Sequence, residues 1–136
     1  MAHRIYLVDD DRFLLNLYAA KFKTAGEDIT TFGSAEELLT QLRKPEPAPD
    51  AVLLDLIMPG MDGFTAIETI RKEGLAKGAK IIILSNEGQP AEIERAKSLA
   101  VDGYITKASA IPSEVLAEVA RTIGAPPPTP APLPTP

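Results

Sequence analysis

Cysteine and tryptophan are absent from these 136 residues, and histidine occurs once, as His3. Without cysteine the chain has no disulfide framework, no thiolate metal site and no cysteine nucleophile. A single histidine near the start of the chain leaves little basis for an imidazole zinc site or for Ser-His-Asp catalysis. We therefore expect the chemistry of this protein to depend on carboxylate, hydroxyl and amine groups.

Positive charge and long apolar runs are also scarce. Fourteen Lys and Arg face 19 Asp and Glu, a formal net charge of −5. This charge argues against generic binding to nucleic acids or anionic membranes, since both need a basic face. No apolar run approaches the ~18 residues of a membrane span, and the N-terminus lacks the apolar segment of a signal peptide. We expect a cytoplasmic protein with one folded domain.

Apolar, strand-like runs alternate with amphipathic helical segments as far as residue 123. Strands are predicted at 4–8, 28–32, 51–54, 80–84 and 102–106, and helices at 11–22, 34–43, 63–73, 89–100 and 112–123. Asp11 and a capping box at Ser34–Glu37 begin the first two helices, and Gly26 ends the first. Five strands alternating with five helices predict a doubly wound α/β domain with a parallel sheet.

Two proline-rich stretches lie outside this alternation. Residues 45–49 are predicted to form a stiff, extended connector. Residues 125–136 can neither continue a helix nor pair in a central strand, because they are interrupted by prolines throughout. We therefore divide the chain into a folded domain at 1–124 and a disordered tail or linker at 125–136.

Polar side chains follow four of the predicted strands at the point where each strand ends. These are Asp9 and Asp10, Asp55, Ser85 and Lys107. In an open parallel sheet the carboxyl ends of the strands meet at one edge, and ligands bind there. Two carboxylates ~4 Å apart repel each other by about 4 kcal/mol at an effective dielectric constant of ~20. Because Mg²⁺ relieves such repulsion, the pattern indicates a Mg²⁺-dependent phosphate site.

Each of these residues also has a simpler structural explanation when it is considered alone. An acid after a strand is often a turn residue or a helix cap, although Asp11 already supplies the cap here. Lys107 would serve equally as a surface lysine or as a salt bridge to the acids, and Ser85 as a cap beside a helix. The functional interpretation depends on their occurrence together.

Taken together, the motifs resemble the receiver domain of two-component response regulators over residues 4–123. The matching positions are the acidic pair Asp9 and Asp10, the phosphoacceptor segment 54–63, the Thr/Ser switch position Ser85, the aromatic switch position Tyr104 and the lysine Lys107. The resemblance implies a flavodoxin-like fold, in which five parallel strands follow the order 2-1-3-4-5.

The resemblance also implies a phosphoacceptor and a metal site. Asp55 would take a phosphoryl group from a sensor histidine kinase or a histidine phosphotransfer protein and hold it as an aspartyl-phosphate. Mg²⁺ would bind Asp10, Asp55 and the main-chain carbonyl of Ile57, with Asp9 acting mainly through water. The protein would then be a signalling phosphoacceptor that at most catalyses formation and hydrolysis of its own phosphate.

A switch is implied as well. Lys107 and Ser85 would contact the phosphoryl oxygens, and movement of Ser85 would let Tyr104 turn inward. The face formed by the fourth helix, fifth strand and fifth helix would then bind a downstream protein, and a phosphorylation-dependent homodimer is left open. The family usually has proline after the lysine, whereas Ala108 follows Lys107 here, so we expect a trans peptide bond at this position.

Three alternatives stay open at this point. Phosphatases and dehalogenases with an aspartate nucleophile also place it at a strand end, but they carry a second acid two residues later, where this chain has Ile57. A degenerate receiver would bind its partner without phosphorylation. The chain would also fit the receiver fragment of a larger regulator, joined through the proline-rich segment.

Overall fold

The computed structural model describes residues 3–85, 90–106 and 112–124. Strands and helices alternate as predicted: β1 Arg4–Val8, α1 Arg12–Thr24, β2 Asp28–Phe32, α2 Ala35–Leu42, β3 Ala51–Asp55, α3 Gly63–Glu73, β4 Lys80–Ser85, α4 Pro90–Ser98, β5 Gly103–Thr106 and α5 Pro112–Ile123. No helix within the described ranges has both the length and the apolar character needed to cross a membrane.

The five strands form one parallel sheet in the order β2-β1-β3-β4-β5. This confirms the predicted fold class and the strand order that the resemblance implied. The central position of β1, β3 and β4 explains their apolar sequences, because strands covered on both faces need apolar side chains in both directions.

Two helical layers cover the sheet. Alternate side chains of β3 point to opposite faces, so Val52 and Leu54 pack with α2 and α3 while Ala51 and Leu53 pack with α1 and α5. All four are fully buried. Burial of a Val or Leu side chain stabilises the fold by about 1.5–3 kcal/mol. The two cores hold the carboxyl edge of the sheet in a fixed position.

Short polar residues begin the helices at this edge. The Asp11 side chain accepts a hydrogen bond from the Phe13 amide at 3.0 Å and caps α1. Ser34 caps α2 by accepting from the Glu37 amide at 3.2 Å, as its capping box predicted. Asp62 caps α3 by accepting from the Thr65 amide at 2.8 Å. The caps fix where each helix leaves the sheet edge.

The connector at residues 45–49 contains no helix or strand. The Arg4 side chain donates a hydrogen bond to the Pro47 carbonyl at 3.1 Å, which ties the connector to β1. The predicted tail at 125–136 lies outside the described residues.

Candidate functional site

Three aspartates meet at the carboxyl edge of the sheet. Val8 pairs with Leu54 between β1 and β3, so the residues that follow lie at the same level. One carboxylate oxygen from each of Asp9, Asp10 and Asp55 lies within 4.8 Å of the other two. The predicted grouping of the acids is therefore present in the fold.

Burial distinguishes this cluster from ordinary surface acids. Asp9 is 0% exposed, Asp55 is 3% exposed and Ser85 is 3% exposed, and within the described ranges these are the buried polar or charged side chains. Asp10 is exposed. Because a buried carboxylate costs free energy unless it is hydrogen-bonded or paired, the local backbone helps to hold it. The Asp9 side chain accepts a hydrogen bond from the Asp11 amide at 2.9 Å.

The loop after Asp55 is fixed by burial and by one close contact. Leu56 and Met58 are 3% and 6% exposed, whereas Ile57 between them is 66% exposed. The Gly63 amide donates to the Leu56 carbonyl at 2.8 Å. A Cβ atom at Gly63 would collide with the carbonyl oxygen of Asp55. The loop thus keeps Leu56 and Met58 in the core and leaves the Ile57 side chain in solvent.

Ser85 and Tyr104 converge on an acid that the sequence analysis did not single out. Glu92, in the first turn of α4, accepts a hydrogen bond from the Ser85 hydroxyl at 3.2 Å and another from the Tyr104 hydroxyl at 3.1 Å. Burial raises the pKa of the Tyr104 phenol; the hydrogen bond with Ser85 lowers this pKa and the Glu92 carboxylate raises it. The two predicted switch residues therefore share one acceptor.

Lys107 lies outside the described residues, as does Ala108. Thr106, which precedes Lys107 in the chain, pairs with Ser85 in the register of β4 and β5. The end of β5 therefore lies at the same sheet edge as Ser85. Asp55 is at this edge too, because it pairs with Leu84, the residue before Ser85.

Comparison with known proteins agrees with this arrangement. Residues 5–120 match the family described as the response regulator receiver domain. The DNA-binding response regulator MtrA of Mycobacterium tuberculosis is 32% identical over 119 residues, which is 88% of this chain and 50% of MtrA. The chemotaxis protein CheY of Halobacterium salinarum is 32% identical over 113 residues, which is 83% of this chain and 91% of CheY.

A solved structure shows the same fold. The BeF3-activated receiver domain of DrrB, a Thermotoga maritima response regulator, superimposes with a TM-score of 0.77 at 25% identity and covers 91% of this chain and 99% of that one. This chain spans about half the length of MtrA and most of the length of the CheY relative. With its fold, its acid cluster and its matched segment, this chain belongs to the response regulator receiver domain family.

Proposed function

We propose that this chain is a phosphate-accepting receiver in which Asp55 takes a phosphoryl group from a phosphohistidine. The donor would be a sensor histidine kinase or a histidine phosphotransfer protein. The main support is the acid cluster: Asp55 is 3% exposed, and its carboxylate lies with those of Asp9 and Asp10 within 4.8 Å.

The transfer itself is a displacement at phosphorus. A carboxylate oxygen of Asp55 forms the new O–P bond while the N–P bond of the phosphohistidine breaks, and the electron pair of that bond returns to the imidazole nitrogen. Ser85 would donate its hydroxyl proton to a phosphoryl oxygen, and Lys107 would provide a positive charge beside it. The protein acts as a phosphoacceptor in this reaction rather than as an enzyme with a separate substrate.

The donor set fits Mg²⁺. Asp10, Asp55 and the carbonyl of Ile57 would hold the ion, with Asp9 acting mainly through water. Carboxylate and carbonyl oxygens are the ligands that Mg²⁺ takes in proteins, together with water and phosphate. When bound, the ion neutralises the carboxylates and the phosphoryl oxygens that approach them. Without such a charge, carboxylates within 4.8 Å of one another repel by at least about 3 kcal/mol at an effective dielectric constant of ~20.

Apolar side chains near the acids support docking of a protein donor. Phe13 is 73% exposed in the first turn of α1, and Ile57 is 66% exposed in the loop after β3. Leu17, one turn after Phe13 in α1, is 43% exposed. Exposed apolar groups beside a charged site are typical of a protein-binding surface.

Phosphorylation would change a second surface, formed by α4, β5 and α5. A pocket of about 160 Å³ lies between α4 and β5, and Tyr104 forms part of its wall with Ile93 and Val101. The pocket gives the Tyr104 ring room to change its position. We propose that this face binds a downstream protein and, in some assemblies, a second phosphorylated copy of the chain.

The remaining parts of the proposal concern the whole chain. We propose a receiver at 1–124 and a tail or linker at 125–136, working in the cytoplasm without direct contact to nucleic acid or membrane. The net charge of −5 disfavours direct binding to phosphate backbones.

Incubation with acetyl phosphate and Mg²⁺, followed by intact-mass analysis, tests the phosphoacceptor. We expect one added phosphoryl group on the wild type, none on Asp55→Asn, and none when Mg²⁺ is chelated. Asp62→Asn is a matched control, because it also removes one carboxylate from the same loop while asparagine still caps α3.

The outcomes separate the proposal from its alternative. An unmodified wild type under these conditions, with no Mg²⁺ binding by calorimetry, would refute the phosphoacceptor and favour a receiver that binds its partner without phosphorylation. Phosphate on both Asp55→Asn and the wild type would show that another residue is the acceptor.

A further inference from the structure

Glu92 connects three parts of the molecule that the proposed switch requires to move. Its Oε1 atom accepts hydrogen bonds from Ser85 at the end of β4 and from Tyr104 in β5, at 3.2 Å and 3.1 Å. Glu92 itself lies in α4. An ionised carboxylate only accepts hydrogen bonds, so the Ser85 and Tyr104 hydroxyls are the donors in these two contacts. The two hydroxyls also interact with each other, so Ser85, Tyr104 and Glu92 form one polar cluster.

The Ser85 hydroxyl has one proton and can donate it to one strong acceptor at a time. In the proposed function that proton goes to a phosphoryl oxygen on Asp55. Glu92 and the phosphoryl group are both anionic acceptors, so they compete for the same donor. Phosphorylation therefore requires the hydrogen bond between Ser85 and Glu92 to break. The Ser85 hydroxyl then leaves the Glu92 carboxylate, to which Tyr104 also donates.

Helix α4 is an element that such a change would move. Ala96 is the buried residue of its described part. Among its described residues, Arg95 makes contacts at the surface: it lies 4.5 Å from the centre of the Phe64 ring and 3.4 Å from the Glu68 carboxylate. These contacts join α4 to α3, whereas Glu92 joins its first turn to the sheet edge.

We propose that Glu92 is a positioning residue that holds Ser85 and Tyr104 in the unphosphorylated arrangement and thereby opposes the switch. This inference rests on the proposed function, because it takes Ser85 as a ligand of the phosphoryl group. A carboxylate that stabilises one of two states shifts the population toward that state. Removal of its charge should then favour the phosphorylated arrangement and speed phosphorylation.

A simpler explanation is that Glu92 only stabilises the N-terminal turn of α4 through the helix dipole. That role predicts a less stable helix after substitution, with no gain in phosphorylation. It does not require both switch hydroxyls to donate to the same oxygen atom.

Glu92→Gln is the informative variant, because glutamine keeps the size and an acceptor oxygen but loses the charge that strengthens both hydrogen bonds. We expect Glu92→Gln to be phosphorylated by acetyl phosphate with Mg²⁺ at least about fivefold faster than the wild type. The NMR signals of Tyr104 in the unphosphorylated variant should shift toward those of the phosphorylated wild type. Glu94→Gln removes the same charge from an exposed position of the same helix and should behave like the wild type.

The Ser85→Ala background separates positioning from simple charge repulsion of the anionic phosphodonor. If Glu92 acts through Ser85, the gain from Glu92→Gln should disappear in that background. A gain that persists there, or that Glu94→Gln reproduces, would overturn the proposal. The proposal would also be overturned if the wild type takes phosphate and Glu92→Gln has the same phosphorylation rate and the same Tyr104 signals. A wild type that takes no phosphate would refute the proposed function, and this inference with it.

Discussion

Tyr104 reports on its environment through its own ionisation. Burial raises its pKa above the ordinary 10.0, and the Glu92 carboxylate adds to this, because a phenolate beside it would be a second negative charge. We expect Glu92→Gln to lower the pKa of Tyr104, yet to leave it above 10.0 because burial remains. An NMR titration of the tyrosine Cζ signals measures this, with Tyr104→Phe to assign the resonance.

The direction of this pKa also predicts how stability depends on pH. Since the phenol is a weaker acid in the folded than in the unfolded chain, its contribution to the free energy of unfolding is complete below pH 10.0 and is lost as the pH rises through the folded-state pKa. Tyr104→Phe should therefore lose less stability than the wild type over that alkaline range. A Tyr104 signal that titrates below 10.0 in the wild type would contradict both expectations.

Helix α3 begins in close contact with the end of β3. A Cβ atom at Gly63 would collide with the Asp55 carbonyl oxygen and lie 2.9 Å from the Leu56 Cα atom. Both are backbone atoms of the strand end, so Gly63→Ala should reduce the free energy of unfolding by about 1–3 kcal/mol. It should also slow phosphorylation, since Asp55 must shift. Urea denaturation and intact-mass kinetics measure the two effects.

Gly33→Ala is the matched control for this substitution. Its Cβ atom would meet only the Glu37 carboxylate, at 3.5 Å, which is an ordinary van der Waals distance. We expect little change in stability or in phosphorylation rate. Equal stability of Gly63→Ala and the wild type would show that α3 can move away from β3 without cost.

Local sequence signals were sufficient to predict the elements that hold the acids. The cap of α1 at Asp11 and the capping box at Ser34 involve hydrogen bonds over two or three residues, so the local sequence contains both partners. The acid cluster was predictable for a similar reason. Asp9 and Asp55 each follow a run of apolar strand residues, and parallel strands bring those ends together.

Contacts between elements were not predictable in the same way. Glu92 meets Ser85 and Tyr104 only because α4 has a particular rotation and distance from the sheet. An acid in the first turn of a helix already has an explanation in the helix dipole, so nothing in the local sequence indicated a partner for Glu92. The strand order likewise came from a family resemblance, since periodicity identifies strands without arranging them.

At the scale of the whole molecule, folding brings the Asp55 carboxylate, which is distant in the sequence, close to those of the neighbouring residues Asp9 and Asp10. Asp9, Asp10 and Asp55 come within 4.8 Å in a protein whose formal net charge is already −5. An ion that binds only the folded cluster stabilises the fold by about 2.7 kcal/mol at 100 times its Kd. For a domain of this size, Mg²⁺ should therefore raise the Tm by roughly 10 °C.

Asp10→Asn should separate the cost of this repulsion from the benefit of the ion. Without Mg²⁺ we expect the variant to have a higher Tm than the wild type, because one like charge is gone. Addition of Mg²⁺ should raise the Tm of the variant much less than that of the wild type, because one ligand of the ion is gone as well. Differential scanning calorimetry measures both Tm differences, with NaCl at equal ionic strength as the control for Mg²⁺. Asp28→Asn makes the same charge change at an exposed position at the start of β2 and should keep the full response to Mg²⁺. A full response in Asp10→Asn would mean that Mg²⁺ binds elsewhere on the molecule.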